Sequence, residues 1–173
     1  MNGYGAFAAF YDALTDDVDY AAWADYLLAA FTRHGGRADA ILDLACGSGS
    51  LSLQLAARGC DVIGVDGSAD MLAVAREKAA DEGQYILFLC QDMREFELYG
   101  TVGAAVCCLD SINYLLYPSD VKRMLKRLHL FVSPGGMLIF DINTPYKLKN
   151  LDNQVFLDEK DDVYCVWRTE YEK

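Results

Sequence analysis

The sequence has few residues of the kinds that hold metal ions. It contains two histidines, His34 and His129, which are far apart, and none of its six cysteines forms a CxxC pair. The sequence therefore predicts no metal site. Most of the cysteines fall in apolar runs such as AAVCCL, where cysteine acts as a small hydrophobic residue. Free buried thiols are typical of a reducing compartment, so we expect a cytoplasmic protein.

Positive charge and long apolar runs are also scarce. Fifteen Lys and Arg stand against 26 Asp and Glu, a formal net charge of −11, which argues against a nucleic-acid partner. No apolar run approaches the ~18 residues that a membrane-spanning helix needs, so we expect no membrane partner. The 173 residues, 53% hydrophobic and 24% charged, suit one ordinary globular domain.

The sequence does contain a regular alternation of apolar strands and amphipathic helices. The buried strands are predicted at AILDLAC, CDVIGVD, QYILFLC, VGAAVCCLD and MLIFDIN. Asp19, Ser68 and Ser119 are predicted to cap helices, and residues 133–136 are predicted to end the last of these helices. This alternation predicts an α/β fold with a doubly wound, mostly parallel sheet and helices on both faces. Ligands bind such sheets at the carboxyl ends of the strands.

The strongest motif follows the first strand, where Asp43 precedes a loop that contains Gly47 and Gly49. Glycines let the backbone turn sharply and approach a ligand closely, and the following helix N-terminus offers free N–H groups. A dinucleotide-binding motif would have a third glycine where this sequence has Ser52. Asp43 would repel a pyrophosphate, whereas it suits a ligand that carries an ammonium group or another cation.

Two further carboxylates follow the second and third strands. Asp66 can accept hydrogen bonds from a ribose diol, although an Asp-Gly-Ser turn would also explain it. Asp92 can accept from an exocyclic amine and Met93 can pack on an aromatic ring, although a lone Asp92 would also be an ordinary surface residue. Together with Asp43, these positions predict an adenosine with a cationic tail, which describes S-adenosylmethionine.

The same segments resemble a known family. The matching stretches are LDLACGSGS, VIGVDGSADMLAVAREKA, LCQDMREF, LDSINYL and SPGGMLIFDINTPYKL. They resemble the class I S-adenosylmethionine-dependent methyltransferases, which have a Rossmann-like fold. The opening FAxxYDxL…DVDY-type segment resembles the bacterial subgroup that acts on small molecules. The resemblance runs from about Phe7 to Leu148, which is most of the chain.

The resemblance implies a set of cofactor-binding residues. They are Tyr11, Tyr20, Asp43, Ala45, Gly47, Gly49, Asp66, Met71, Asp92, Met93 and Leu109. Within this set, Asp66 would hold the ribose hydroxyls, while Asp92 and Met93 would bracket the adenine. Tyr11 and Tyr20 resemble aromatic residues that close over the cofactor in related enzymes, and packing between helices would explain them equally well.

The resemblance also implies the chemistry, a methyl transfer by in-line displacement from a sulfonium. Positioning of the nucleophile supplies much of such catalysis, and a base is needed only if the acceptor arrives protonated. Asp110, at the tip of the fourth strand, is the candidate base, although it would also serve to cap the turn there. The Asp/Asn-Pro-Pro-aromatic motif of DNA and protein amide methyltransferases is absent from this sequence, so we expect an unidentified small-molecule acceptor. The sequence does not indicate whether nitrogen, oxygen or carbon is methylated.

Two other functions stay open. A nucleotide-dependent oxidoreductase would use the same kind of sheet, but Asp43 and Ser52 argue against it. A cofactor-binding fragment without turnover would also account for the motifs, because segments that complete the acceptor pocket would be missing.

The end of the chain predicts the start of an antiparallel lid. A cofactor-binding core with an N-terminal helical cap is predicted over residues 1–148, followed by the lid over residues 149–173. Two β-like runs, 154–157 and 163–171, flank a charged turn at 158–162. Because the family's sheet usually closes with an antiparallel hairpin that we do not find in the sequence, we expect a fragment or truncated product. An unpaired edge beside the fifth strand then predicts a homodimer.

Overall fold

The computed structural model describes residues 5–8, 10–160 and 163–171. Their strands are β1 (Ala40–Leu44), β2 (Asp61–Asp66), β3 (Leu87–Cys90), β4 (Val102–Cys107), β5 (Val132–Phe140), β6 (Val155–Lys160) and β7 (Val163–Arg168). Their helices are α1 (Gly5–Ala8), α2 (Tyr11–Leu14), α3 (Tyr20–Arg33), α4 (Ser50–Ala57), α5 (Ala69–Asp81), α6 (Pro118–Phe131) and α7 (Pro145–Asn150), with a 3₁₀ turn at Ser111–Tyr114.

The central sheet has the order β3-β2-β1-β4-β5, and every neighbouring pair is parallel. The chain builds outward from β1 to β3 on one side and then crosses to β4 and β5 on the other. The carboxyl ends of all five strands therefore lie at one edge of the sheet. The predicted doubly wound parallel sheet is confirmed, and all five strands lie within or beside the predicted apolar runs.

Side chains of the central strands alternate between two hydrophobic layers. Ile41 of β1 packs with α3 and α4, while its neighbour Leu42 packs on the opposite face with α6. In β4, Ala104 lies in the same layer as Ile41, and Ala105 lies in the same layer as Leu42. All four residues are fully buried. A third cluster joins α5 to Phe88 of β3. Burial on both faces explains why these strands appear in the sequence as unbroken apolar runs.

Two of the three predicted helix caps are confirmed. The carboxylate of Asp19 accepts a hydrogen bond of 2.9 Å from the backbone N–H three residues later, and the hydroxyl of Ser68 does the same at 3.3 Å. The prediction for Ser119 was wrong, because α6 begins at Pro118 with Tyr117 as its N-cap. The fixed φ of proline and its missing N–H suit the first position of a helix.

The boundary between α6 and β5 also differs from the prediction. The strand starts at Val132, so residues 133–136 lie inside β5 instead of forming a separate helix stop. The pairing of β5 with β4 shifts register at this segment, as expected where extra residues are inserted into one strand. A Cβ atom on Gly136 would lie 2.7 Å from the carbonyl oxygen of Gly103, so the close contact requires glycine.

β5 lies at the edge of the sheet and pairs with β4 alone among the described strands. Its last residue, Phe140, is 48% exposed.

The predicted antiparallel lid strands are present as a separate two-stranded ribbon, β6 and β7. The prediction that residues 158–160 belong to the turn was wrong, because β6 continues to Lys160 and these residues pair with β7. Asp161 and Asp162 of the predicted turn lie outside the described residues. Helix α7, which precedes the ribbon, was not predicted; Thr144 caps it by accepting a hydrogen bond of 3.2 Å from the N–H of Lys147. No helix in the described ranges is long and apolar enough to span a membrane.

Candidate cofactor site

A pocket opens at the carboxyl edge of the sheet, where the strand order reverses between β1 and β4. This is the position at which doubly wound sheets bind their ligands. Six of the predicted site residues line the pocket: Tyr11, Tyr20, Asp43, Ala45, Gly47 and Leu109. The remaining six predicted residues lie outside its lining: Gly49, Asp66, Met71, Asp92, Met93 and Asp110. Asp43 and Gly47, expected beside the methionine part of the cofactor, are therefore brought together, whereas Gly49 of the same group lies outside the lining. Of the residues expected beside the adenosine, Asp66 ends β2, Asp92 and Met93 follow β3, and Met71 lies in α5.

The loop after β1 is built from left-handed backbone. Ala45, Gly47 and Gly49 have φ values of 62°, 55° and 77°. Gly49 is required for a second reason, because a Cβ atom there would lie 2.9 Å from the Cβ of Ala75 in α5. This backbone turns sharply from β1 into α4, whose first residues, Ser50 and Leu51, line the pocket.

Asp43 is a buried carboxylate at the end of β1. Its side chain is 2% exposed and accepts a hydrogen bond of 2.6 Å from the hydroxyl of Ser52, which is fully buried. Burial raises the pKa of Asp43 to about 6, against the opposing effect of the Ser52 hydrogen bond, and the nearby negative charge of Asp66 raises the pKa further. A cation placed in the pocket would offset the cost of this buried charge.

Asp66 organises the backbone at the end of β2. One carboxylate oxygen accepts from the N–H of Gly47 at 2.9 Å, and the other accepts from the N–H of Ser68 at 2.8 Å. These bonds join β2 to the glycine loop and to the start of α5. Each oxygen keeps a second lone pair, so the carboxylate can also accept from a ribose hydroxyl.

Both carboxylate oxygens of Asp92 accept hydrogen bonds from Arg94. The guanidinium of Arg94 donates to both oxygens of Asp92, at 2.8 Å and 2.5 Å, and the backbone N–H of Arg94 donates a further bond of 2.8 Å. Arg94 holds the pKa of the Asp92 carboxyl below its usual value. The guanidinium of Arg94 also donates to a carboxylate oxygen of Asp120 at 3.3 Å. An adenine amine would therefore compete with Arg94 for the carboxylate oxygens.

The two predicted methionines belong to the hydrophobic packing around the sheet. Met71 is buried on α5 with 4% exposure, and Met93 packs partly buried against the cluster that contains Phe96. Neither residue lines the pocket between β1 and β4.

The tip of β4 carries two consecutive residues in the left-handed region. Leu109 and Asp110 have φ values of 58° and 63°, a conformation that costs energy in residues other than glycine. The N–H of Asp110 donates to Asp141 at 2.9 Å, and the Asp110 carboxylate pairs with Lys147 at 3.6 Å. Leu109 and Ser111 consequently face the pocket, while the Asp110 carboxylate is paired at its rim.

Tyr11 and Tyr20 form the outer wall of the pocket. Burial raises the pKa of Tyr11 to about 12, with further contributions from nearby groups that include Tyr20 and Asp66. The hydroxyl of Tyr20 donates to Thr15 at 3.3 Å, and burial also raises the pKa of Tyr20. Both phenols are therefore neutral at physiological pH.

A polar cluster that was not predicted from the sequence lies at the same wall. It consists of Asp12, Ser48, Ser50 and Lys78 and will be called the polar latch. Asp12 stands in the opening segment that drew attention to its neighbour Tyr11, so a signal was present for one member. Lys78 lies 66 residues from Asp12 in the sequence, and no local pattern links the two.

Comparison with known proteins agrees with this geometry. Residues 41–136 match the family model described as a methyltransferase domain. The chain is 37% identical over 168 residues to the "Putative methyltransferase YqeM" of Bacillus subtilis (strain 168), covering 96% of this chain and 66% of that protein. It is 33% identical over 139 residues to a dTDP-3-amino-3,6-dideoxy-alpha-D-glucopyranose N,N-dimethyltransferase of Streptomyces fradiae, covering 79% of this chain and 53% of the relative.

A solved structure shows the same similarity over the whole chain. A S-adenosylmethionine-dependent methyltransferase from Clostridium acetobutylicum ATCC 824 superposes with a TM-score of 0.85 at 34% identity, covering 99% of this chain and 71% of that one. The chain thus spans about two thirds of the length of the Bacillus and Clostridium proteins and about half of the length of the Streptomyces enzyme. From the matched domain, the shared fold and these relatives together, the chain belongs to the class I S-adenosylmethionine-dependent methyltransferases.

Proposed function

We propose that this protein transfers a methyl group from S-adenosylmethionine to a small-molecule acceptor. One observation carries the proposal. A single pocket joins the left-handed glycine loop and the buried Asp43 carboxylate of β1 to the Leu109 tip of β4. A carboxylate that is unfavourably buried on its own suits the ammonium group of the cofactor's methionine part.

The residues of the chain fit this cofactor and would act mainly by holding it. When bound, S-adenosylmethionine supplies a methyl group on a positively charged sulfur. Asp43 would accept from the ammonium group, and Asp66 would accept from the ribose while it holds the N–H of Gly47 in place. Held in this way by Asp43 and Asp66, the cofactor would present its methyl group to an acceptor approaching in line with the bond to sulfur. Placing the two reactants in line supplies much of the rate.

The acceptor is proposed to enter between the loops that follow β4 and β5. Two side-chain oxygens there, Oδ1 of Asp141 and Oδ1 of Asn143, are buried without a hydrogen-bond partner. Buried acceptors without donors are unfavourable, so a ligand with N–H or O–H groups would satisfy them. The amino-sugar methyltransferase of Streptomyces fradiae and the glycine/sarcosine N-methyltransferase of Halorhodospira halochloris, 31% identical over 138 residues, support a small acceptor.

Asp110 remains the proposed base for an acceptor that arrives protonated. Its carboxylate lies at the rim of the pocket, 3.6 Å from the ammonium group of Lys147. An exposed ion pair at this distance is weak. To take a proton from the acceptor, Asp110 would have to turn away from Lys147 towards the pocket.

The remaining expectations stay part of the proposal. Residues 1–148 would form the cofactor-binding core with its cap, and residues 149–173 would begin the lid. The exposed edge at β5 supports a homodimer through strand pairing. Absence of a concentration-dependent dimer in analytical ultracentrifugation would remove this part of the proposal. We also propose a cytoplasmic location.

The proposed function is tested by methyl transfer. Purified protein and S-adenosylmethionine would be incubated with a panel of small amines, amino sugars, hydroxyl compounds and phenols, and formation of S-adenosylhomocysteine would be measured. We expect turnover with at least one member and none with the Asp43→Asn variant. Tight cofactor binding without turnover on any acceptor class would instead favour a cofactor-binding fragment.

A further inference from the structure

The polar latch connects the N-terminal cap to the glycine loop. The cap is formed by α1 and α2, and Asp12 lies in α2. One oxygen of Asp12 accepts from Ser48 at 2.5 Å and from Ser50 at 3.2 Å, and the other accepts from Lys78 at 2.7 Å. Lys78 closes the cluster by donating to Ser50 at 2.6 Å. Three separate parts of the chain, α2, the glycine loop with the start of α4, and α5, therefore meet at one carboxylate.

The members of the latch are placed where they would act on the pocket. Ser48 and Ser50 flank Gly49, the left-handed N-cap residue of α4. Both serines line the pocket. Asp12 directly follows Tyr11, which forms the outer wall of the same pocket. A shift of Asp12 would therefore move both the wall and the loop beneath it.

The pocket behind this wall is small. Its volume is about 40 Å³, enough for a few water molecules, whereas pockets for small ligands have volumes of roughly 300–1,000 Å³. A cofactor whose amino-acid tail enters this pocket would lie against the wall formed by Tyr11 and Tyr20, so the position of the wall decides whether the tail can enter. The described contacts that hold the wall include the latch on one side and the ring of Phe7 against Trp167 of β7 on the other, with centroids 6.1 Å apart.

We propose that Asp12 and Lys78 are positioning residues for the cofactor, which hold the N-terminal cap closed over the glycine loop and release it when the cofactor enters or leaves. This inference rests on the proposed function. The latch suits such a role because its charged pair is partly exposed, with 26% and 38% of the side chains accessible. Such a pair is weak enough to break and re-form without unfolding the domain.

The test uses Lys78→Met, which removes the cation and leaves the cap sequence unchanged. The matched control is Arg58→Met. Arg58 is about as exposed as Lys78 and pairs with the more exposed Asp25 at 2.6 Å, and it lies beyond α4 at the end opposite the glycine loop. Lys78→Arg keeps the positive charge and is expected to behave as the wild type.

Two measurements are made on each protein. Without cofactor, chymotrypsin cleavage after Phe10 and Tyr11 reports opening of the cap, and we expect it to be about tenfold faster in Lys78→Met than in the other proteins. With S-adenosylhomocysteine, stopped-flow tryptophan fluorescence gives the binding rates. We expect Lys78→Met to raise both rates, and the dissociation rate by about tenfold. General structural damage would not make association faster.

Unchanged cleavage in Lys78→Met would overturn the inference, because the cap would then not depend on the latch. Faster cleavage with unchanged binding rates would also overturn it, since the cap would open without affecting the cofactor. If the wild type does not bind S-adenosylhomocysteine, the proposed function fails, and with it the proposal that the polar latch controls entry and exit of the cofactor. The cleavage comparison would then still show whether the latch holds the cap.

Discussion

The hydroxyl of Ser52 donates a 2.6 Å hydrogen bond to the carboxylate of Asp43, and both side chains are buried at the base of the pocket. Ser52 occupies the position at which a dinucleotide-binding motif has its third glycine. Its hydroxyl compensates part of the cost of burying a charge at Asp43. The same serine that argues against a dinucleotide therefore supports the carboxylate that suits a cationic ligand.

Replacing Asp43 with Asn is expected to stabilise the protein while it damages the site. The folded-state pKa of about 6 lies above the ordinary aspartate value of 3.8, so the folded protein binds this proton more tightly than the unfolded chain. Stability therefore falls as pH rises from about 4 to about 6, and the full penalty of about 1–3 kcal/mol remains above that range. Chemical denaturation should show a gain for Asp43→Asn at pH 7.5 that shrinks towards pH 4.

The control for this experiment is Asp39→Asn on the surface. The Arg37 guanidinium lowers the pKa of Asp39, so that its substitution should give no gain in stability at any pH. An equal gain from both substitutions would contradict the role assigned to burial at Asp43.

Asp66→Ala is expected to weaken binding of S-adenosylhomocysteine by ~1–3 kcal/mol, because it removes the acceptor for the ribose hydroxyls. It should also lower the midpoint of thermal unfolding, since the N–H groups of Gly47 and Ser68 lose their partner. Isothermal titration and calorimetry measure the two effects separately. Unchanged affinity would remove Asp66 from the cofactor site.

Arg94→Met is expected to lower the free energy of unfolding only modestly, because Arg94 and Asp92 are both partly exposed and solvent screens their interaction. The bidentate pair with Asp92 and the bond to Asp120 are lost together. Arg37→Met, which removes a more exposed pair of 3.1 Å, should have a smaller effect in urea denaturation. A larger loss from Arg37→Met would contradict this assignment.

Gly64→Ala is expected to destabilise the fold by about 1–3 kcal/mol through overpacking. A Cβ atom on Gly64 would lie 2.6 Å from a ring carbon of Phe88 and 2.9 Å from the sulfur of Cys46, so β2 or the glycine loop would have to shift. Gly100→Ala is the control, since no atom lies within 4 Å of its added Cβ. Equal urea midpoints for the two variants would show that the strand has room at Gly64.

The sequence predicted the elements whose signals are local. Strands buried on both faces give apolar runs, and caps such as Ser68 act within one helical turn. It failed where two signals compete, as at α6, where Pro118 starts the helix one residue before the serine that was expected to cap it. It also missed side chains brought together by topology, because nothing near Asp12 in the sequence refers to Lys78. Arg94, by contrast, stands two residues after Asp92, and its pairing with that carboxylate was open to prediction.

Calorimetric titration of the wild-type protein with S-adenosylhomocysteine, and separately with NAD, tests the central claim most directly. We expect one saturable site for S-adenosylhomocysteine per chain and no measurable binding of NAD, because the Asp43 carboxylate would repel a pyrophosphate and Ser52 stands where a dinucleotide-binding motif has its third glycine. Binding of NAD without binding of S-adenosylhomocysteine would contradict it.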